Sequence, residues 1–204
     1  MAEEISGNPL EVLARWVEDA AQASIPAPST MTFATADAAG VPHARTVLVT
    51  AIDDTALRFH SSAPTTKTRD LAARHQASGV FHWPALGRQV VVHGPARELD
   101  AAVARAAFGE QPRQLQLVAW AYDELLPTLD GPEPEIGPGE FRRAFDCAAL
   151  RDPADRGVPE SWTTIELAPS RVDLWQAGDD LTPPSRTRFV LGPAGTWRRF
   201  PVLP

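Results

Sequence analysis

Between Met31 and Leu99 the chain offers five strand-like stretches, and only one short helical segment interrupts them. Met31–Thr35 comes first, followed by a turn at Asp37-Ala38-Ala39-Gly40. Val41–Ile52 is long and β-branched through Thr46, Val47, Val49 and Thr50, residues that suit a pleated, half-buried surface. Asp53-Asp54 turns the chain into Ala56–Ser61. A helix follows to about His75, and then two more strands, Ser78–Trp83 and Arg88–Leu99. Three antiparallel strands, a helix and two further strands predict a closed or nearly closed barrel: mainly β with flanking helices (α+β), antiparallel throughout.

The flanking segments are helical at first. Asn8-Pro9 opens a helix whose apolar face is Leu10, Leu13, Trp16, Val17 and Ala20, so residues 1–26 form an N-terminal helical segment. Asp100–Phe108, Arg113–Tyr122 and Glu140–Leu150 are further helices. The Pro-, Gly- and acid-rich stretch over 127–139 is a flexible loop, long enough to be functional. Short strands follow at Trp162–Leu167, Val172–Trp175, Arg188–Val190 and Trp197–Phe200. They are too few and too short to make a core of their own, so 1–204 is expected to be a single domain.

Several function classes are excluded early. The net charge of −7, with no basic stripe, argues against a general nucleic-acid partner. The acidic start Met1-Ala2-Glu3-Glu4 is no secretory signal, and no apolar run is long enough for a membrane. One cysteine, Cys147, excludes an internal disulfide. The expected location is the cytoplasm. The five histidines, His43, His60, His75, His82 and His93, lack metal-ligand spacing. Neither a Gly-rich phosphate loop nor a nucleophile elbow is present.

Lys67 is the only lysine among 19 Lys and Arg residues. It sits in Ser61-Ser62-Ala63-Pro64-Thr65-Thr66-Lys67, where a strand turns into a helix N-terminus. Free N–H groups and the helix dipole favour an anion there, and Thr65, Thr66 and an ammonium would complete a phosphate site. The same residues also fit an ordinary helix cap with a solvated lysine. Arg45, Gln89, Trp175 and Arg188 add polar or aromatic groups on strands, which spacing alone cannot separate from plain surface alternation.

Taken in order, seven segments resemble the pyridoxamine 5′-phosphate oxidase family, which binds FMN on a split β-barrel. They are Asn8-Pro9-Leu10…Trp16; Arg45-Thr46-Val47-Leu48-Val49; Phe59-His60-Ser61-Ser62 with Thr65-Thr66-Lys67; Leu86-Gly87-Arg88-Gln89-Val90; Ala119-Trp120; Leu174-Trp175-Gln176; and Arg188-Phe189. The early segments, including Ala77-Ser78-Gly79-Val80, are also similar to the phenazine-biosynthesis branch. The resemblance implies that Arg45 and Lys67 bind the FMN phosphate with hydroxyls of the Ser61, Thr65 and Thr66 segment. Thr46, Val47 and Leu48 would lie along the flavin ring, with His60 near its edge. Gln89 would contact the flavin, and Trp175 and Arg188 would come from the second subunit of a homodimer. The implied activity is oxidation of a small organic molecule, possible secondary metabolites included, by hydride transfer to FMN, with oxygen as acceptor. His60 and Arg186 are weak catalytic candidates, and no general base is assigned.

The departures from the family pattern concern both subsites. Where the vitamin-B6 oxidases hold substrate phosphate, this chain has Thr50, Ala107, Gln111 and Leu115. Losing charge-assisted contacts costs about 1.5–3 kcal/mol each, so a vitamin-B6 phosphate is not the expected substrate. Leu115, Ala107 and Pro183-Pro184 should enlarge and dry that side. Thr66 replaces an arginine, and Glu124-Leu125 replaces a Gln-Ser pair near the flavin phosphate, where a carboxylate would repel. Other readings are a reductase using deazaflavin or nicotinamide, a flavin-binding protein without turnover, and a pocket that has lost flavin.

Overall fold

The strand β5 (Arg88–Glu98) joins the two parts of the sheet. The computed structural model describes residues 7–129, 131, 134–151 and 157–204. Among them, β1 (Thr30–Ala36), β2 (Pro42–Ile52), β3 (Leu57–Ser62), β4 (Gln76–Trp83), β5 and β6 (Trp162–Leu167) close into a ring in the order β4-β1-β2-β3-β6-β5, with β5 returning to β4. All of these pairings are antiparallel. From β5 the sheet runs on through β7 (Arg171–Gln176), β8 (Ser185–Leu191) and β9 (Trp197–Val202).

The barrel is split because β5 changes partner. Its first half, Arg88–His93, pairs with β7, and Ala96–Glu98 pair with β6. The change falls at Gly94-Pro95. A side chain on residue 94 would run into the Ala168 carbonyl and the Pro169 backbone, so only glycine lets the 168–170 crossing pass. Pro95 has no N–H to offer, and its carbonyl accepts from the Ala168 amide at 2.9 Å.

Met31, Phe33, Phe59 and Phe81 fill the core, each fully buried. Burial of one such side chain stabilises by about 1.5–3 kcal/mol. The helix α1 (Pro9–Gln22) adds Leu10, Leu13, Trp16 and Ala20 to the same cluster. Asn8 starts it, its side chain accepting from the Leu10 amide at 3.0 Å, with Pro9 in the first turn. Arg88 on β5 pairs with Asp19 of α1 at 2.6 Å and lies over the Trp16 ring.

A second, smaller cluster attaches α3 (Ala101–Phe108) and α4 (Arg113–Leu125) to the barrel. Trp162 packs between Ala104, Phe108 and Ala119, and its Nε1–H donates to the Ala104 carbonyl at 2.9 Å. Asp123 accepts from the Ser161 amide at 2.7 Å, which fixes α4 against the entry to β6. The helix α5 (Glu140–Ala149) packs on α4, with Tyr122 and Phe141 edge to face at 5.4 Å. This helical layer walls the functional cavity.

Element boundaries agree with the sequence expectations to within a few residues. The structure adds two 3₁₀ turns, Pro84–Leu86 and Leu126–Thr128, which periodicity did not indicate. The expectation of an acidic, non-secretory start at residues 1–4 lies outside the described residues, as do residues 130, 132 and 133 of the expected 127–139 loop. Among the described residues no helix is long and apolar enough to cross a membrane.

Candidate functional site

The solvated-lysine reading is overturned at the end of β3. The helix α2 (Thr66–Ala73) begins directly after Thr65, and Lys67 folds back along the turn. Its Nζ donates to Ser61 Oγ at 2.8 Å and Thr65 Oγ1 at 3.3 Å. Capping falls instead to Thr68, whose hydroxyl accepts from the Thr65 amide at 2.9 Å. The half-buried Lys67 amine is pushed down to about 8 by burial and by the nearby Arg45 guanidinium.

Arg45 reaches the same place from β2. Strand alternation puts His43, Arg45 and Val47 on one side, and the β1 register sets Thr35 opposite His43 and Phe33 opposite Arg45. Arg45 donates to Thr35 Oγ1 at 2.7 Å and stands 3.8 Å from Asp70. Burial lowers the Arg45 pKa, with the Asp70 charge opposing. Asp70 is buried at 4% side-chain exposure, accepts the Thr35 hydroxyl at 2.6 Å and meets His43 Nδ1 at 2.9 Å. This carboxylate stands behind Arg45. Among the described residues, no carboxylate lines the cavity.

That cavity has a volume of about 830 Å³. One end carries Arg45, Lys67 and Arg69 with the Ser61, Ser62, Thr65 and Thr66 hydroxyls. Thr46, Val47, Leu48 and Thr50 of β2 form a side, and His60 and Trp162 lie between the ends. His60 stacks on Trp162 at 5.0 Å and bonds Thr164 Oγ1 through Nδ1 at 3.0 Å, and burial lowers its pKa. Burial thus favours the neutral form of this imidazole. The far end is apolar: Leu115, Val118, Leu126, Ile136 and Phe141 among others, from α4, the following 3₁₀ turn, the loop and α5. The described loop residues Leu129, Pro134 and Ile136 are part of this wall.

The structure thus gathers Arg45, Thr46, Val47, Leu48, His60, Ser61, Thr65, Thr66 and Lys67 around one space. It does not bring Gln89, Trp175, Arg186 or Arg188 of the same chain there. Those four sit on the β5-β7-β8 surface, with Gln89 opposite Trp175 and Trp175 opposite Arg186. Arg186 and Arg188 are both held by Asp173, at 2.8 Å each. Of the departures, Thr50, Gln111, Leu115, Thr66 and Leu125 line the cavity. Glu124 does not: it is exposed and lies outside this chain's lining. Ala107 and Pro183-Pro184 are also absent from this chain's lining. Sequence reasoning missed Asp70, Thr35, His43 and Asp173. Period-two spacing of His43 and Arg45 was the available signal, but their partners are distant in sequence.

The family model described as pyridoxamine 5′-phosphate oxidase matches residues 17–145. A pyridoxine/pyridoxamine 5′-phosphate oxidase of Azorhizobium caulinodans is 34% identical over 173 residues, covering 82% of this chain and 76% of the relative. A protein of the same description from Streptomyces avermitilis is 33% identical over 201 residues, 96% of this chain and 86% of its own. In fold, the chain is similar to PhzG from Burkholderia lata in complex with tetrahydrophenazine-1-carboxylic acid, with TM-score 0.84, 21% identity, and 98% and 95% of the two chains covered. It is also similar to a pyridoxamine 5′-phosphate oxidase-related, FMN binding protein from Nostoc punctiforme, with TM-score 0.76, 18% identity, and coverage of 98% and 100%.

Proposed function

The chain belongs to the pyridoxamine 5′-phosphate oxidase family, and on that premise we propose that it is an FMN-dependent oxidase of a small organic substrate other than a vitamin-B6 phosphate. The observation that carries the reading is the cradle. Two cations, Arg45 and Lys67, converge with the Ser61 and Thr65 hydroxyls at a cavity end that no carboxylate lines among the described residues. Burial, and after it the neighbouring Arg45 charge, lowers the lysine pKa, and a phosphate would relieve that cost. The residues present therefore fit the FMN phosphate.

Arg45, Lys67, Ser61, Thr65 and Thr66 would hold that phosphate, and Thr46, Val47, Leu48 and His60 would flank the ring. When bound, FMN supplies two-electron chemistry, taking a hydride from the substrate and passing the electrons to oxygen. The protein's part is to bind, orient and exclude water. His60, fixed by Thr164 and Trp162, borders that side of the cavity, and burial disfavours its charged form. No side chain is assigned as general base. Gln89, Trp175 and Arg188 lie away from this cavity and would complete the site of a second copy, which makes the active unit a homodimer. One domain per chain suits that arrangement.

The vitamin-B6 phosphates are disfavoured because Thr50, Gln111 and Leu115 line the cavity where a second phosphate would need cations. The test is an absorbance spectrum of the purified protein before and after adding FMN and desalting, followed by oxygen uptake with candidate amines. One retained FMN per chain and oxygen consumption support the reading. A colourless protein that cannot hold FMN overturns it. Retained FMN without oxygen uptake favours a deazaflavin- or nicotinamide-linked reductase or a non-catalytic flavin carrier.

A further inference from the structure

We propose that Asp70 is a positioning residue for the cofactor phosphate: acting through the Thr35 hydroxyl, it sets the Arg45 guanidinium without hydrogen-bonding it directly, an inference that rests on the FMN reading of the cradle. The relay has three members. Thr35 Oγ1 donates its one proton to Asp70 Oδ2 at 2.6 Å. A carboxylate only accepts, so the hydroxyl is held with its lone pairs turned away from Asp70. Arg45 donates from one terminal nitrogen to that same oxygen at 2.7 Å and to the Phe33 carbonyl at 3.3 Å. A planar guanidinium tied to two acceptors through one nitrogen has little freedom left.

Asp70 stays clear of the other terminal nitrogen. That nitrogen stands 3.8 Å from Oδ2, beyond hydrogen-bond reach, so its donors are not consumed there. A direct bidentate pair would occupy the fork that a phosphate also uses. The carboxylate is 4% exposed and lies outside this chain's described lining, whereas Arg45 is part of it. His43 Nδ1 meets the same Oδ2 at 2.9 Å, a second contact that holds the carboxylate in place. Asp70 follows Lys67 by one turn of α2, so one helix carries a cradle cation and the residue that sets the other. Every member belongs to one chain, and the relay stands whatever charge a second copy brings to the cavity.

The experiment is dialysis of the full-length protein against mixtures of FMN and riboflavin, with the bound flavins separated and counted. Riboflavin lacks the phosphate, so the ratio of the two affinities reads the cradle alone. The wild type is expected to prefer FMN. Thr35→Val and Asp70→Asn should each lower that preference by about tenfold with riboflavin binding unchanged, and Thr35→Ser, which keeps the hydroxyl, should restore it. The double variant should fall no further than the singles, because both break one relay. If Asp70→Asn does not fold, the isosteric Thr35→Val decides alone. An unchanged preference in Thr35→Val, a parallel loss of both flavins, or additive losses in the double variant overturns the positioning role while the cofactor reading stands. A wild type that binds FMN no better than riboflavin overturns the cradle and this inference with it.

Discussion

Asp173 grips Arg188 through both carboxylate oxygens, Nε to Oδ1 at 2.8 Å and a terminal nitrogen to Oδ2 at 2.9 Å. The same carboxylate also holds Arg171 at 2.7 Å and Arg186 at 2.8 Å, so one negative charge, 1% exposed, fixes three arginines on the β7-β8 surface. Burial alone would raise the Asp173 pKa. Hydrogen bonds from Arg188 and Arg171 outweigh it and hold the carboxyl well below the usual range. A depressed folded pKa means the contribution to stability is present above about pH 4 and is lost as pH falls further. Asp173→Asn should cost on the order of 3 kcal/mol, the low end for a broken buried pair because the arginines are partly exposed. At about 2–4 °C per kcal/mol, the melting temperature should drop by roughly 6–12 °C at pH 7, with a smaller difference at pH 3. Equal melting at pH 7 would contradict the anchoring role.

Lys67→Ala should weaken FMN binding by about tenfold or more, since a charge-assisted contact contributes about 1.5–3 kcal/mol. The pH dependence has a definite sign. The protonated amine attracts phosphate, and in the FMN-free protein it loses its proton as pH rises through about 8. The dissociation constant should therefore climb above pH 8 in the wild type, and this limb should be missing in Lys67→Ala. Flavin fluorescence titrations from pH 6 to 9.5 read both effects.

The strands and the cradle were legible in the sequence because their signals are local. β-Branched stretches and the turn residues between them marked the barrel strands, and the turn from Ser61 to Lys67 carried its hydroxyls and ammonium within a few residues. What brings Arg45 to that turn is not local: Thr35, Asp70 and His43 meet only through strand pairing and the packing of α2. Glu124 shows the opposite failure. The resemblance placed it by the phosphate, whereas the stripe Leu115, Val118, Tyr122, Leu125 follows helical spacing into this chain's cavity and leaves Glu124 outside that lining. Reading α4 by its 3.6-residue period would have turned that carboxylate outward.

Gly94→Ala tests the origin of the split. The added methyl has no room, because the obstacles are the Ala168 carbonyl and the Pro169 backbone rather than movable side chains. Overpacking of this kind costs about 1–3 kcal/mol, so the variant should melt several degrees lower, while Gly40→Ala, at a turn with nothing within 4 Å, should suffer only from its positive φ of 91°. Thermal melts of the two variants side by side separate crowding from backbone strain. A Gly94→Ala protein as stable as wild type would remove the steric account of the partner change.

The division of the expected flavin contacts between the cavity and the β5-β7-β8 surface makes a complementation experiment decisive. Lys67→Ala removes a group from the cavity, and Arg188→Ala removes one from the surface expected to complete a neighbour's cavity. Each homodimer should then bind FMN weakly at both sites. In a mixed dimer, the Arg188→Ala chain offers an intact cavity to the intact Arg188 of the Lys67→Ala chain. One site is restored, and the other lacks both residues. With random reassociation, half the dimers are mixed, so about one site in four should regain wild-type affinity. Denaturing, mixing and refolding the two variants, then counting tightly bound FMN, measures this fraction. If Lys67 and Arg188 served the same chain's site, no mixed site could contain both, and mixing would restore nothing.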